Sequence, residues 1–323
     1  MKGLKIFVSI CIVFIVSISV FAITNNFSEE ENLNLPSSTL VLATSFSVPD
    51  SMDFCGEVIC LTRYDLRERF DRELMSIVYR HSHTMRGLKL ANRYYPIIEP
   101  ILKKNGIPTD FKYLAHIESN FEIRALSGVK AAGIWQFMPE TAKEFGLEVN
   151  DEVDERYNFI RSTEAACAYF RKAYQYYGDW FRVAASYNAG MGRISRESSK
   201  QQVSTFEDLY LNEETSRYVF RILAIKYFLK NPQMFGYKIQ KKDFYSQVRF
   251  YKVKVDTKVE DWATFAKSYG YTFAQLKEFN MWIRSRGLEN KKKKTYDIYF
   301  PKKEDIEYDP ENIILYQENW AVK

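Results

Sequence analysis

Between Asp65 and Asn231 apolar residues recur at spacings of three and four, whereas after Gly236 they alternate. The chain therefore divides into a long helical stretch and a smaller mixed one. Leu66, Phe70, Leu74, Ile77 and Val78, then Leu88, Leu90, Ala91, Tyr94 and Tyr95 ahead of Pro96, predict one long helix or two broken ones. Pro108-Thr109-Asp110 opens the next helix, Pro139-Glu140-Thr141 opens another that stops at Gly146, and a longer one runs from about Tyr157 to Tyr177, ended by Gly178. Two more are predicted from Trp180 to Ser186 and from Glu214 to Lys230, the second stopped by Pro232. Val248, Phe250 and Val253 to Val255 then predict a strand, Trp262 to Gly270 and Phe273 to Asn280 two short helices, and Tyr296 to Phe300 a closing strand. The expected fold class is mainly α, with a small C-terminal α+β unit of βααβ order whose length of about fifty residues suits an independent module.

The remaining segments complete a provisional division. Residues 1–22 carry Lys2 and Lys5 ahead of an apolar run from Ile6 to Ile23, with Val20-Phe21-Ala22 offering small residues for cleavage. That pattern reads as an export signal, and the run is also long enough to remain as a membrane anchor. Residues 23–64, rich in Ser, Asn, Thr and Glu without sustained periodicity, read as a linker or arm. A helical segment at 65–95, a main domain at 96–235, the βααβ unit at 245–302 and a tail at 303–323 follow.

Charge and cysteines narrow the partners. Without Lys2 and Lys5 the 46 basic residues against 41 acidic ones leave +3, and Lys291 to Lys294 is the sole basic run, best read as a solvated turn. This argues against nucleic acid as the main partner and suits contact with a polymer bearing carboxylates. Export would place Cys55, Cys60 and Cys167 where disulfides persist; Cys55 and Cys60 are near enough in sequence to close a small loop, and Cys167 reads as a packed core thiol. His81 and His83 sit two apart and point to different faces of a helix, so no metal-ligand spacing emerges and neither a metal nor another cofactor is expected.

One carboxyl stands out. In the helix opened by Pro108, Phe111, Leu114, Ala115 and Glu118 fall at i, i+3, i+4 and i+7, so Glu118 shares a face with apolar side chains. Desolvation on such a face raises a carboxyl's pKa, which a general acid needs if it is to hold its proton near neutral pH. By periodicity alone, Glu118 could equally be a glutamate near a helix end paired with Lys112 or Arg124.

Neighbouring motifs decide between these. Glu118-Ser119, Ser127 with Ala132-Gly133-Ile134-Trp135-Gln136-Phe137-Met138-Pro139, Ala185-Ser186-Tyr187-Asn188-Ala189-Gly190, and Glu214-Thr215-Ser216-Arg217-Tyr218-Val219 follow in order over about a hundred residues. In these stretches the chain resembles the lytic transglycosylases with a goose-type lysozyme-like (SLT) domain, especially the membrane-bound type D group. The resemblance implies a lysozyme-like helical catalytic domain acting on peptidoglycan glycan strands in the periplasm or cell envelope. Glu118 would be acid and base, and Ser119, Ser127, Gln136, Phe137, Met138, Tyr187, Asn188 and Tyr218 would bind substrate, with Trp135 assigned to the core. It implies cleavage of the N-acetylmuramic acid to N-acetylglucosamine β-1,4 bond without water, the sugar's own 6-hydroxyl closing a 1,6-anhydro ring. Glu122 reads as a solvent-facing charge, but with Asp154 it keeps a hydrolytic, lysozyme-type alternative open, and a non-catalytic wall-binding scaffold is the third reading. The βααβ unit looks like a divergent LysM module: Asp256-Thr257, Trp262, Tyr269-Gly270 and Asn280 carry the likeness, while the usual glycine and leucine of its opening are missing.

Overall fold

The computed structural model describes residues 44–322; the apolar run at 6–23 and the first part of the arm expected at 23–64 lie outside them. From Phe46 the chain forms one contiguous unit. Its first element departs from the expected linker. Ser51–Phe54 (β1) and Glu57–Cys60 (β2) make an antiparallel hairpin with Ser51 opposite Cys60. Phe54 and Ile59 are buried, the Phe54 ring standing edge-on to Phe111 at 5.3 Å. Strands of four residues with polar Ser51 and Asp53 on the outer face are too short to register as alternation. Cys55 lies at the turn and Cys60 at the far end of β2, so the small Cys55–Cys60 loop does not form, and all three described cysteines are free.

Two helices follow, Tyr64–Tyr79 (α1) and His81–Lys104 (α2). The second runs through Pro96 and Pro100, where the sequence pattern placed its end. A proline inside a helix costs about 3 kcal/mol. Tyr95, Ile98 and Leu102 are fully buried on the same helix, and each such side chain returns roughly 1.5–3 kcal/mol. A 3-10 turn at Thr109–Phe111 leads into Lys112–Ser119 (α3). Pro139–Glu144 (α4), Phe159–Tyr177 (α5), Trp180–Ala189 (α6), Met191–Gln201 (α7) and Glu213–Lys230 (α8) complete the helical part. Asn158, Asp179 and Asn212 cap α5, α6 and α8 through their side chains. Helix α7 has no counterpart in the sequence reading, since Ile194 is its one buried residue. Helix α8 is the opposite case: buried on most sides, it packs against α1, α3 and α6 and so lies beneath the site described below.

After Ile239–Gln240 (β3) comes the βααβ unit in the expected order: Phe250–Val255 (β4), Trp262–Ser268 (α9), Phe273–Phe279 (α10) and Tyr296–Pro301 (β5). β4 and β5 are antiparallel, Val255 opposite Tyr296. This unit is docked on the helical part. Trp282 and Ile283 share a core with Val153, Tyr157 and Ala132, and Asp154 N donates to Trp282 O at 2.8 Å while Arg284 N donates to Glu152 O at 2.8 Å. The segment expected as a tail also packs back: Ala321–Val322 (β6) pairs in parallel with β3, Trp320 is buried with Nε1 donating to Leu229 O at 2.7 Å, and Tyr316 OH accepts from Lys112 Nζ at 2.9 Å. Among the described residues no helix is long and apolar enough to cross a membrane.

Candidate active site

Helix α3 carries the central carboxyl and ends one residue beyond it. Asn120 takes a left-handed conformation at φ 52, and Phe121 follows at φ 60, a costly position for a bulky side chain. Its ring is held between neighbours, stacked on Tyr94 at 5.7 Å and angled to His116 at 4.9 Å, which fixes where the helix stops. Gly87 of α2 allows this contact: a Cβ there would lie 2.0 Å from Asn120 Oδ1 and 2.7 Å from His116 Nε2. His116 is buried, its Nδ1 3.0 Å from Tyr95 OH, and burial pushes its pKa down to about 3, so the ring is neutral near pH 7.

Glu118 is half-buried and faces a cavity of 340 Å³ between α1, α2, α3 and α8. Desolvation pushes its carboxyl up to about 7, against the opposing pull of a hydrogen bond from Tyr218 and of the Arg221 charge; exposed Glu214 adds to the rise. Tyr218 OH donates to Glu118 Oε1, and burial holds that phenol well above its ordinary range, so it remains a donor. Of the charged pairings considered from sequence, neither involves Glu118: Lys112 lies 3.5 Å from Glu99 and Arg124 pairs with Glu278.

The loop after α3 is held from within the site. Three successive carbonyls accept from side chains: Gly133 O from Gln136 Nε2 at 2.7 Å, Ile134 O from Ser119 Oγ at 3.0 Å, and Trp135 O from Tyr187 OH at 2.7 Å. Ser127 Oγ accepts from Ala131 N at 2.9 Å, which closes the turn leading into that run. Ser119, Ser127, Gln136 and Tyr187 thus each hold backbone of this loop. Phe137 is buried edge-on to Tyr187 at 5.9 Å, so its ring acts through Tyr187, whereas Met138 is exposed. Asn188 Oδ1 accepts from Thr215 Oγ1 at 2.8 Å. Trp135 is core, its Nε1 donating to Thr163 Oγ1 at 2.8 Å.

Two acidic residues weighed from sequence are used elsewhere. Asp154 is buried and grips Arg156 through two bonds of 2.9 and 2.7 Å, while Arg156 Nη1 donates to Lys130 O at 2.6 Å and Phe137 O at 3.1 Å, pinning the same loop. Glu122 pairs with Arg86 at 2.7 Å on the surface.

The cavity adds residues that sequence reasoning missed: Glu73, Arg80, His83 and Arg221 line it beside Glu118 and Ser119. Glu73 is the other carboxylate among its described lining residues, and it is nearly inaccessible, at 1% exposure. Arg217 Nε approaches its Oε1 at 2.5 Å and Arg221 Nε its Oε2 at 3.3 Å. A signal was present, since Glu73 interrupts the apolar stripe between Phe70 and Leu74, and Arg217 and Arg221 sit at i and i+4 of one helix, spaced to hold a carboxylate from both sides. Among the described residues no group of three His, Cys, Asp or Glu is placed to hold a metal ion.

Residues 96–209 match the family model of the transglycosylase SLT domain, and residues 251–304 match that of the soluble lytic transglycosylase C-terminal LysM-like domain. The chain is 31% identical over 228 residues to the membrane-bound lytic murein transglycosylase D of Escherichia coli (strain K12), across 69% of this chain and 49% of that protein. It is 34% identical over 107 residues to a putative tributyltin chloride resistance protein of Alteromonas sp. (strain M-1), across 33% of this chain and 51% of that one. Among solved structures, the 70 kDa soluble lytic transglycosylase of Escherichia coli aligns at 23% identity and a TM-score of 0.35, covering 42% of this chain and 24% of that one. The chain spans about half the length of the curated relatives it matches.

Proposed function

We propose, from the premise that residues 96–209 are a transglycosylase SLT domain followed at 251–304 by a LysM-like domain, that this chain is a lytic transglycosylase of the bacterial cell envelope. Its substrate is the glycan strand of peptidoglycan, and Glu118 is its acid and base. The observation that carries the reading is a carboxyl shifted to about 7 by desolvation, held by Tyr218, at the wall of an open cavity.

Protonated Glu118 delivers its proton to the glycosidic oxygen between N-acetylmuramic acid C1 and N-acetylglucosamine O4, and the C1–O bond breaks. The 6-hydroxyl oxygen of the same muramyl residue bonds to C1, and its proton passes to the Glu118 carboxylate. The acid is restored and no water enters. A nucleophile already attached to the reacting sugar removes the need for a second working carboxylate. The pairing of Glu73 with two arginines supports this route over hydrolysis, because a carboxylate occupied on both oxygens is poorly placed to activate water. Gln136, Met138, Tyr187 and Asn188 line the path of the strand in this reading, with Ser119, Ser127 and Phe137 supporting them.

Mass spectrometry of sacculi digested with the full chain tests the reaction class. Anhydro-ended muropeptides are the expected product, and reducing products heavier by one water would replace the reading with a hydrolase. The pH profile checks the acid: the rate is flat below about pH 7 and falls above it, as Glu118 ionises. Because the Tyr218 hydrogen bond lowers the Glu118 pKa, Tyr218→Phe moves the alkaline limb to higher pH. An unmoved or lowered limb in that variant would separate Tyr218 from the carboxyl.

A further inference from the structure

The cavity beside Glu118 has a charge pattern that proton transfer does not require. Arg80, at the α1–α2 junction, and Arg221, on α8, both line it. Arg221 is countered by buried Glu73, which also takes the closer contact from Arg217, and Arg217 in turn reaches Glu213 at 3.7 Å, so the excess positive charge along the cavity lining comes from Arg80. Arg80 is exposed and makes no ion pair with a described residue. His83, one turn along from Arg80, also lines the cavity; desolvation, then the charges of Arg80 and Arg86, lower its pKa, so near pH 7 it offers a neutral ring. With Glu118 holding its proton, the free charge facing this space is cationic.

A polymer of neutral aminosugars would gain nothing from such a wall. The muramyl residue differs from its neighbour by an acidic substituent on O3, either a free lactyl carboxylate or, where that is amidated, the carboxylates of the attached peptide. We infer that Arg80 and Arg221 form a carboxylate-recognition site that takes this substituent and seats the muramyl residue, not the glucosaminyl one, against Glu118. Guanidinium groups suit the task because they stay charged and bind carboxylates through paired N–H donors. Arg80 and His83 precede the matched segment 96–209 and Arg221 follows it, so the residues that select the sugar come from helices packed around the SLT domain. This inference rests on the peptidoglycan reading above for the identity of the strand.

The test is made on the full chain carrying Glu118→Gln, so that binding is read without cleavage. Affinities are measured for three tetrasaccharides: alternating N-acetylglucosamine and N-acetylmuramic acid with free lactyl groups, the same strand bearing peptides, and an all-N-acetylglucosamine strand. Adding Arg80→Gln is expected to weaken an acidic strand about tenfold, the size of a lost charged hydrogen bond, and to leave the neutral strand unchanged. Loss confined to the free lactyl strand assigns the site to the lactyl group, and loss confined to the peptide-bearing strand assigns it to the peptide. Unchanged binding of both acidic strands, or an equal loss on the neutral one, overturns the inference. The exposed position of Arg80 keeps folding intact, checked by an unchanged unfolding midpoint, and Arg80→Lys is expected to recover part of the affinity. If the wild-type chain releases no fragments from sacculi while this discrimination holds, the proposed reaction fails and the recognition site stands.

Discussion

Glu118→Gln is expected to lower kcat on sacculi by about three orders of magnitude, within the range that a positioned general acid contributes. The amide fills the same space and still accepts the hydrogen bond from Tyr218, so fold and substrate binding persist, and KM changes little. The same substitution has a second signature in stability. The Glu118 carboxyl is raised from 4.5 to about 7 in the folded chain, so its contribution is fully present below pH 4.5 and is lost as the pH rises through 7. Relative to wild type, the glutamine variant should therefore gain stability between pH 5 and pH 8, on the order of 2 kcal/mol. Urea unfolding at the two pH values measures it. A variant that loses activity without this pH-dependent gain would mean that Glu118 is not held out of water.

Gly133→Ala is expected to cost about 3 kcal/mol in unfolding free energy and most of the activity. Gly133 has φ +76, and a Cβ there would stand 1.9 Å from the carbonyl oxygen of Arg156. Neither side can yield easily: Arg156 is fixed by Asp154 and by the carbonyls of Lys130 and Phe137, and Gly133 begins the three carbonyls that Gln136, Ser119 and Tyr187 hold. Gly146 provides the control. It has φ +82 and a Cβ there would meet nothing within 4 Å, so Gly146→Ala should cost only the conformational term, about 1 kcal/mol. Denaturant unfolding of both variants separates the two terms, and equal losses would remove the steric argument at Gly133.

The same loop shows how far sequence carries. Glu118 and Tyr218 lie a hundred residues apart, and their motifs place them at one site, where the structure joins them by a hydrogen bond. The helix end marked by Gly178 and the next start at Trp180 were legible because they depend on local chemistry. Helix α2 was not, since its passage through Pro96 depends on Ile98 and Leu102 finding a core that the local pattern does not display. The βααβ unit was legible as a unit, yet its docking on Val153 and Tyr157 was not, because an interface between two separately patterned segments leaves no period. Nor did the roles of Ser119, Gln136 and Tyr187 as loop anchors follow from residue type: their donors suit a sugar and a carbonyl equally. Arg80, His83 and Glu73 were missed for a related reason. They are ordinary polar side chains along an amphipathic stretch until folding brings them to the wall of the Glu118 cavity.

The central physical claim is that this one carboxyl keeps its proton near neutral pH. Difference infrared titration of the wild-type chain against Glu118→Gln reads that proton directly, through the carboxylic acid band that only Glu118 contributes to the difference. A midpoint at about 7 is the expected result. A midpoint at the ordinary glutamate value of about 4.3 would mean an ionised group at working pH and would contradict the mechanism built on it.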